Sequence, residues 1–287
     1  MARKRRGKAR TKGTAKKGGD PPQEDASGGG WKAARTWLAG IVSAVLIAAI
    51  GVVFTAWYTT GGTDAVDSLG GAPPLTIGHV DVEQDERPLV LREPVTNPRD
   101  RATLLGRAVG DAEMADMLAR HHVATIGDAN ITVVLTGNRS SLRIINVRPR
   151  VHLRAPPADG AYLYQGTAGE AGTIELVADL DRRPIRFTTK KKPDTAYFTK
   201  KQIDLKRGER VTLSLSVIGK SAYYEFDLVA TVLAGDRSEQ VVINGPGGVP
   251  FRLTGHADSY RSAYKLVETV GWVPTSTDRA CTAVTTC

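Results

Sequence analysis

Ser262-Ala-Tyr-Lys265 has the Ser-x-x-Lys spacing in which a lysine can activate a serine nucleophile, as in penicillin-binding enzymes. That chemistry requires a Lys-Thr-Gly strand and a Ser-x-Asn turn as companions, and the sequence contains neither. Thr285-Thr286-Cys287 is similar to the Thr-x-Thr-Cys strand of sortases, but no arginine follows Cys287 to polarise a carbonyl. His121 and His122 are adjacent, so on a helix they point about 100° apart and make a poor chelating pair. His79, His152 and His256 lack His, Asp or Glu neighbours at metal spacing and are expected to be surface residues or satisfied polar ones. Gly166, Gly169 and Gly172 do not lead from a strand into a helix, so they read as a loop and not as a nucleotide-binding turn. No catalytic residue, metal site or cofactor is expected.

Cys281 and Cys287 are the two cysteines. A bridge between them would close a short loop and stabilise it by about 2 kcal/mol. An intermolecular bridge and two free thiols are the alternatives.

Charge is the stronger signal. Residues 181–210 carry 11 Lys/Arg against 4 acids, with Tyr197 and Phe198 interleaved. Arg186, Lys190, Lys191, Lys192, Lys200 and Lys201 form a candidate anion-binding patch for polyanionic envelope polymers or lipid headgroups. Residues 63–130 are the opposite, with 6 Lys/Arg and 12 acids. The competing reading is therefore a solvated basic hairpin partly neutralised by the acidic segment of the same molecule. Arg148, Arg150, His152 and Arg154 alternate with apolar residues and read as the polar side of a strand.

The net charge of the 287 residues is +9, but residues 1–35 alone hold 11 Lys/Arg and 3 acids. The body is nearly neutral, so nucleic acid is not an expected partner. The basic tail is low in complexity and is expected to be disordered and cytoplasmic. It precedes a stretch without charge from Thr36 to Thr63, within which Trp37–Tyr58 is apolar. As a helix this run reaches about 33 Å, enough to cross a hydrocarbon core of roughly 30 Å. Trp31, Trp37, Trp57 and Tyr58 flank it, as aromatic rings do at the two interfaces. Lys32 and Arg35 precede the run and the first cation after it is Arg87, which places the N-terminus inside and the rest outside. The run exceeds a signal-peptide core and lacks a small-residue exit, so an uncleaved single-pass anchor is expected.

The expected organisation is a tail over 1–35, a transmembrane helix over 36–60, a linker with an extended segment over 61–95, and an extracytoplasmic domain over 96–287. Asn97-Pro98 opens a helix at about 100–120, where Leu104, Ala108, Ala115 and Leu118 follow helical spacing. Beyond Ile131 the period becomes two. Leu213, Leu215 and Val217, then Tyr224, Phe226, Leu228, Ala230 and Val232, mark strands with one buried face. About nine short strands separated by Gly, Pro, Asn and Asp turns predict a mainly β fold, an antiparallel β-sandwich of immunoglobulin-like architecture with a short helix.

The stretches ITVVLTGNRSSLRIINVRPRVHLRAPPADGAYLY (131–164), ELVADLDRRP (175–184), AYYEFDLVATVLAGDR (222–237) and NGPGGVPFRLTG (244–255) resemble a family of single-pass actinobacterial membrane proteins with a β-rich outer domain. The resemblance covers strands and turns. It implies an envelope location and a β architecture, and it transfers no activity. The leading functional expectation is a membrane-anchored, non-enzymatic binding or scaffold protein of the cell envelope. The alternatives are a subunit of a secretion or cell-division complex, with other membrane proteins as partners, and then an envelope hydrolase or transferase.

Overall fold

Strands form where apolar and polar residues alternate, because one face of the pleat can then be buried while the other meets water. The computed structural model describes residues 71–84, 87–106, 112–165, 176–267 and 269–278. In chain order its elements are β1 (Leu75–Val82), β2 (Leu89–Leu91), α1 (Pro98–Leu104), α2 (Ala112–Arg120), β3 (Ala124–Gly137), β4 (Leu142–Ala155), β5 (Ala161–Tyr164), β6 (Leu176–Asp179), β7 (Thr188–Thr189) and β8 (Lys192–Ala196). There follow α3 (Tyr197–Lys200), β9 (Ile203–Leu205), β10 (Arg210–Gly219), β11 (Tyr223–Ala234), β12 (Arg237–Ile243), a single 3-10 turn at Pro246–Gly248, β13 (Phe251–Thr254), β14 (Ser262–Val267) and β15 (Gly271–Thr275).

The protein is mainly β, as its alternation predicts. Pairing is mixed, however, and not purely antiparallel. One path runs β15-β14-β5-β2-β3-β10-β6-β7-β8, with β5–β14 and β6–β10 parallel. Away from that path β11 is flanked by β4 and by β12 and β13, and β13 runs parallel to the start of β3. Parallel neighbours need long crossovers. Here β5 and β14 are about a hundred residues apart in the chain, a partnership that no local pattern announces.

β3 joins the two groups of strands. Its first residues pair with β2 and β13, and from Gly127 onward it pairs with β10 and then β1. The change falls at Gly127, whose φ of +79° bends the strand where an L side chain would be strained. The main core then takes Ile131, Val133 and Leu135 from β3 and Leu213, Leu215 and Val217 from β10. From β11 it takes Tyr224, Phe226, Leu228, Ala230 and Val232.

Two local expectations change. The single helix at about 100–120 is two helices: α1 is capped by Asn97 and ends at Leu105, and α2 buries Met114 and Met117. The inward set on β4 is Leu142, Ile144 and Val147. A bulge at Ile145, opposite Thr231 and Val232, removes that residue from the core face. A second bulge after Val151 turns Arg154 away from Arg150 and His152, towards the Tyr224 ring and Ser221 Oγ at 3.0 Å. Among the described residues, no helix is long and apolar enough to cross a membrane. The tail, the apolar run 37–58, the glycine-spaced loop 166–172 and both cysteines lie outside the described residues.

Candidate functional site

The basic segment is tied to the fold at a few buried points, and between them its cations reach solvent. Phe187 and Phe198 are buried in the main core. They fix the loop after β6 and the short helix α3, while Lys190 and Lys191 form the turn between β7 and β8. β8 is the last strand of one path, and β9 pairs with β4 in the other group of strands. The stretch β8–α3–β9 therefore steps from one strand group to the other.

Three of the segment's four carboxylates are engaged by groups other than its lysines. Asp204 pairs with Arg143 of β4 at 2.5 Å. Glu209 accepts the Lys206 backbone N–H at 2.9 Å. Asp181 accepts the Lys220 N–H at 2.7 Å, together with the hydroxyls of Ser221 and Tyr224. Burial alone would raise the Asp181 pKa, but these donors outweigh it and hold the carboxyl below the usual range. Asp194 contributes its backbone carbonyl to Arg186 at 2.8 Å.

Arg182 pairs with Asp179 at 3.3 Å. Arg182, Arg183 and Arg186 rim a cavity of about 370 Å³ together with Asp179 and Asp194. Lys190, Lys191, Lys192, Lys200 and Lys201 are all exposed, and among the described residues none has an ion-pair partner. Of the described carboxylates of the acidic segment, Glu83 and Asp128 pair with Arg87, Glu113 with Arg99, and Asp100 with Arg120 and His121.

Sequence reasoning missed a second constellation, on the outward face of β11. Glu225 Oε1 accepts the Tyr223 hydroxyl at 2.8 Å and the Arg252 Nε–H at 3.3 Å, and lies 3.0 Å from His122 Nδ1. His122 reaches it from the turn after α2, with φ +52°. Arg92 lies over the Tyr223 ring, 5.1 Å from its centroid. Burial would raise the Glu225 pKa, but His122, Tyr223 and Arg252 together hold it below its ordinary value. Burial and the bond to Glu225 push the Tyr223 phenol upward. Two residues along, Asp227 has a side chain 4% exposed. It binds Arg150 through both oxygens at 3.0 and 2.7 Å and lies 2.8 Å from His152 Nε2.

Each carboxylate gathers partners from several elements, so the row holds β4, β11, β13 and the α2–β3 turn together. The alternation of Glu225 and Asp227 with core residues of β11 was the available signal. Their histidine partners lie 75 and 103 residues away in sequence.

The remaining candidates separate. Ser262 and Lys265 are three apart on a strand and so point to opposite faces, and Ser262 Oγ donates to the Gly160 carbonyl at 3.2 Å. His79 is exposed on β1. His256 is half-buried with Nδ1 unpartnered, and burial lowers its pKa. Among the described residues, no group of three or more His, Cys, Asp or Glu is placed to hold a metal ion. No family model, curated protein or solved structure matches this chain.

Proposed function

We propose that this is a single-pass, membrane-anchored protein whose extracytoplasmic β domain binds polyanions of the cell envelope without catalysing a reaction. The carrying observation is the set of exposed lysines at 190, 191, 192, 200 and 201, none of which has an ion-pair partner among the described residues. A lysine and a proline on an edge strand also block pairing with another chain. That purpose accounts for Lys192 and Pro193 on β8, and leaves the turn lysines and those after α3 unexplained. Polyanion binding accounts for all five.

The anchor reading rests on the apolar run 37–58 and its aromatic and cationic flanks. The resemblance to actinobacterial single-pass proteins agrees with it. The sandwich reading is supported by one core that draws residues from β3 and β10 and also from β4 and β11.

The test is retention of the full chain on immobilised polyphosphate. Lys190→Glu/Lys191→Glu/Lys192→Glu should weaken binding at least tenfold, since each cation near an anionic surface is worth about 1 kcal/mol. Unchanged retention would remove the basis of the proposal.

A further inference from the structure

The loop after β6 presents three arginines from a fixed frame. At its start Leu180 belongs to the main core, and its N–H donates to the Ile218 carbonyl at 2.8 Å. Asp181 is held to the β10–β11 turn by the Lys220 N–H at 2.7 Å and by the hydroxyls of Ser221 and Tyr224. At its end Phe187 is buried, and its carbonyl accepts the Tyr197 N–H at 2.8 Å. Arg182, Arg183 and Arg186 stand between these anchors and are exposed. They rim the cavity of about 370 Å³, a size within the roughly 300–1,000 Å³ of small-ligand clefts. The apolar part of its lining, Val177 and Ile218, alternates with the core residues Ala178 and Val217 and so lies on the outward face of the sheet.

The charged groups of the lining are unequally engaged. Arg182 Nε donates to Asp179 at 3.3 Å, and Asp179 also accepts the Asp181 N–H at 2.9 Å. Arg186 Nη2 donates to the Asp194 backbone carbonyl at 2.8 Å, which leaves its other N–H groups available. Among the described residues neither Arg183 nor the Asp194 carboxylate has an ion-pair partner. Three arginines against two aspartates leave the lining one positive charge, which suits a monoanion. A guanidinium matches phosphate oxygens with parallel N–H bonds. The Asp194 carboxylate accepts and does not donate, so the ligand group beside it must be a donor. An ammonium there would make the ligand neutral and mismatch the charge of the lining. A hydroxyl donates without adding charge, and Val177 and Ile218 offer contact to the carbon chain that carries it.

We infer that this cavity binds a phosphodiester flanked by hydroxyl groups, the unit of a polyol-phosphate chain, with its phosphate on Arg183 and Arg186 and a hydroxyl on Asp194. The inference rests on the polyanion-binding reading above and names the chemical class of anion for one site in the same basic segment. The exposed lysines supply attraction along a polymer, and the cavity supplies recognition of its repeating unit.

The test is a phosphorus NMR titration of the full chain, in neutral detergent, with glycerophosphoglycerol and with dimethyl phosphate, a diester of equal charge without hydroxyls. Glycerophosphoglycerol should bind more tightly than dimethyl phosphate. Arg183→Gln alters a side chain without a described partner, so folding should be unaffected while both diesters weaken. Arg183→Gln/Arg186→Gln should weaken both by at least about tenfold, as expected for lost hydrogen bonds to a charged group. Asp194→Ala should abolish the preference for the hydroxylated diester and leave dimethyl phosphate bound no more weakly. Unchanged binding in the double variant, a preference that survives Asp194→Ala, or tighter binding of the zwitterionic glycerophosphoethanolamine would each overturn the inference.

A soluble polymer and a lipid headgroup share this chemistry. Retention on poly(glycerol phosphate) that is lost in the double variant assigns the polymer. Glycerophosphoglycerol binding that is blocked when phosphatidylglycerol replaces phosphatidylcholine in reconstituted vesicles assigns the headgroup. Polyphosphate retention of the same preparations keeps the two readings apart. Retention that depends on Lys190–Lys192, with diester binding indifferent to the arginines, sinks the cavity assignment alone. Retention indifferent to those lysines, with diester binding that requires the arginines, sinks the underlying proposal.

Discussion

Replacing Glu225 by alanine tests the row on β11 at its centre. The carboxylate is 16% exposed and holds Arg252, itself 11% exposed, together with Tyr223, which is fully buried. Truncation leaves the Tyr223 hydroxyl unpaired, at about 1–3 kcal/mol, and strips a largely buried guanidinium of its counter-ion. The expected loss is about 3 kcal/mol, which for a domain of this size lowers Tm by roughly 6–12 °C. Urea unfolding of the purified full chain, followed by near-ultraviolet circular dichroism, gives the number. Tyr223→Phe removes the orphaned hydroxyl beforehand, so the double variant should lose at least about 1 kcal/mol less than the two single losses added. The pH dependence has a definite sign. Glu225 is held below its ordinary pKa, so its contribution is complete above the unfolded-state pKa and is lost as pH falls through the lower folded value. The variant's stability should therefore decline less steeply in acid than that of the parent. A loss under about 0.5 kcal/mol, additive single losses or an unchanged acid profile would refute the network reading.

Leu228→Ala, at a fully buried core position, should cost about 2–5 kcal/mol in the same unfolding assay. Gly137→Ala would bring a Cβ to 2.7 Å from Lys206 O and should cost about 1–3 kcal/mol by forcing the β9–β10 turn away from β3. It should also increase amide exchange at Gly208 and Glu209 before it affects the β10–β11 turn.

What could be read from the sequence follows from how local each signal is. β10 and β11 bury the alternating residues that mark them, because a strand with one wet face records its orientation in composition. β14 and β15 were missed: Ser262–Val267 and Gly271–Thr275 lack clean alternation, and Pro274 reads as a turn residue. β8 and α3 were missed because Lys190–Lys200 is rich in charged and hydroxyl residues. The bulges at Ile145 and after Val151 could not be seen in one strand alone, since each is defined by its register against β11. The candidate patch was legible as charge. Its lack of neutralisation was not, because that depends on where Asp181, Asp204 and Glu209 send their oxygens. The carboxylate partners of His122 and His152 were hidden by sequence distance.

The most direct measurement of the account is a polyphosphate binding isotherm for three versions of the full chain: the parent, Lys190→Glu/Lys191→Glu/Lys192→Glu, and the charge-matched Arg87→Glu/Arg99→Glu/Arg120→Glu. The second trio reverses arginines that already have carboxylate partners. Loss of at least tenfold in affinity from the lysine trio, with a much smaller loss from the arginine trio, is the predicted result. Equal losses would show that net charge alone governs binding, and binding that survives the lysine reversal would contradict the assignment of the basic segment.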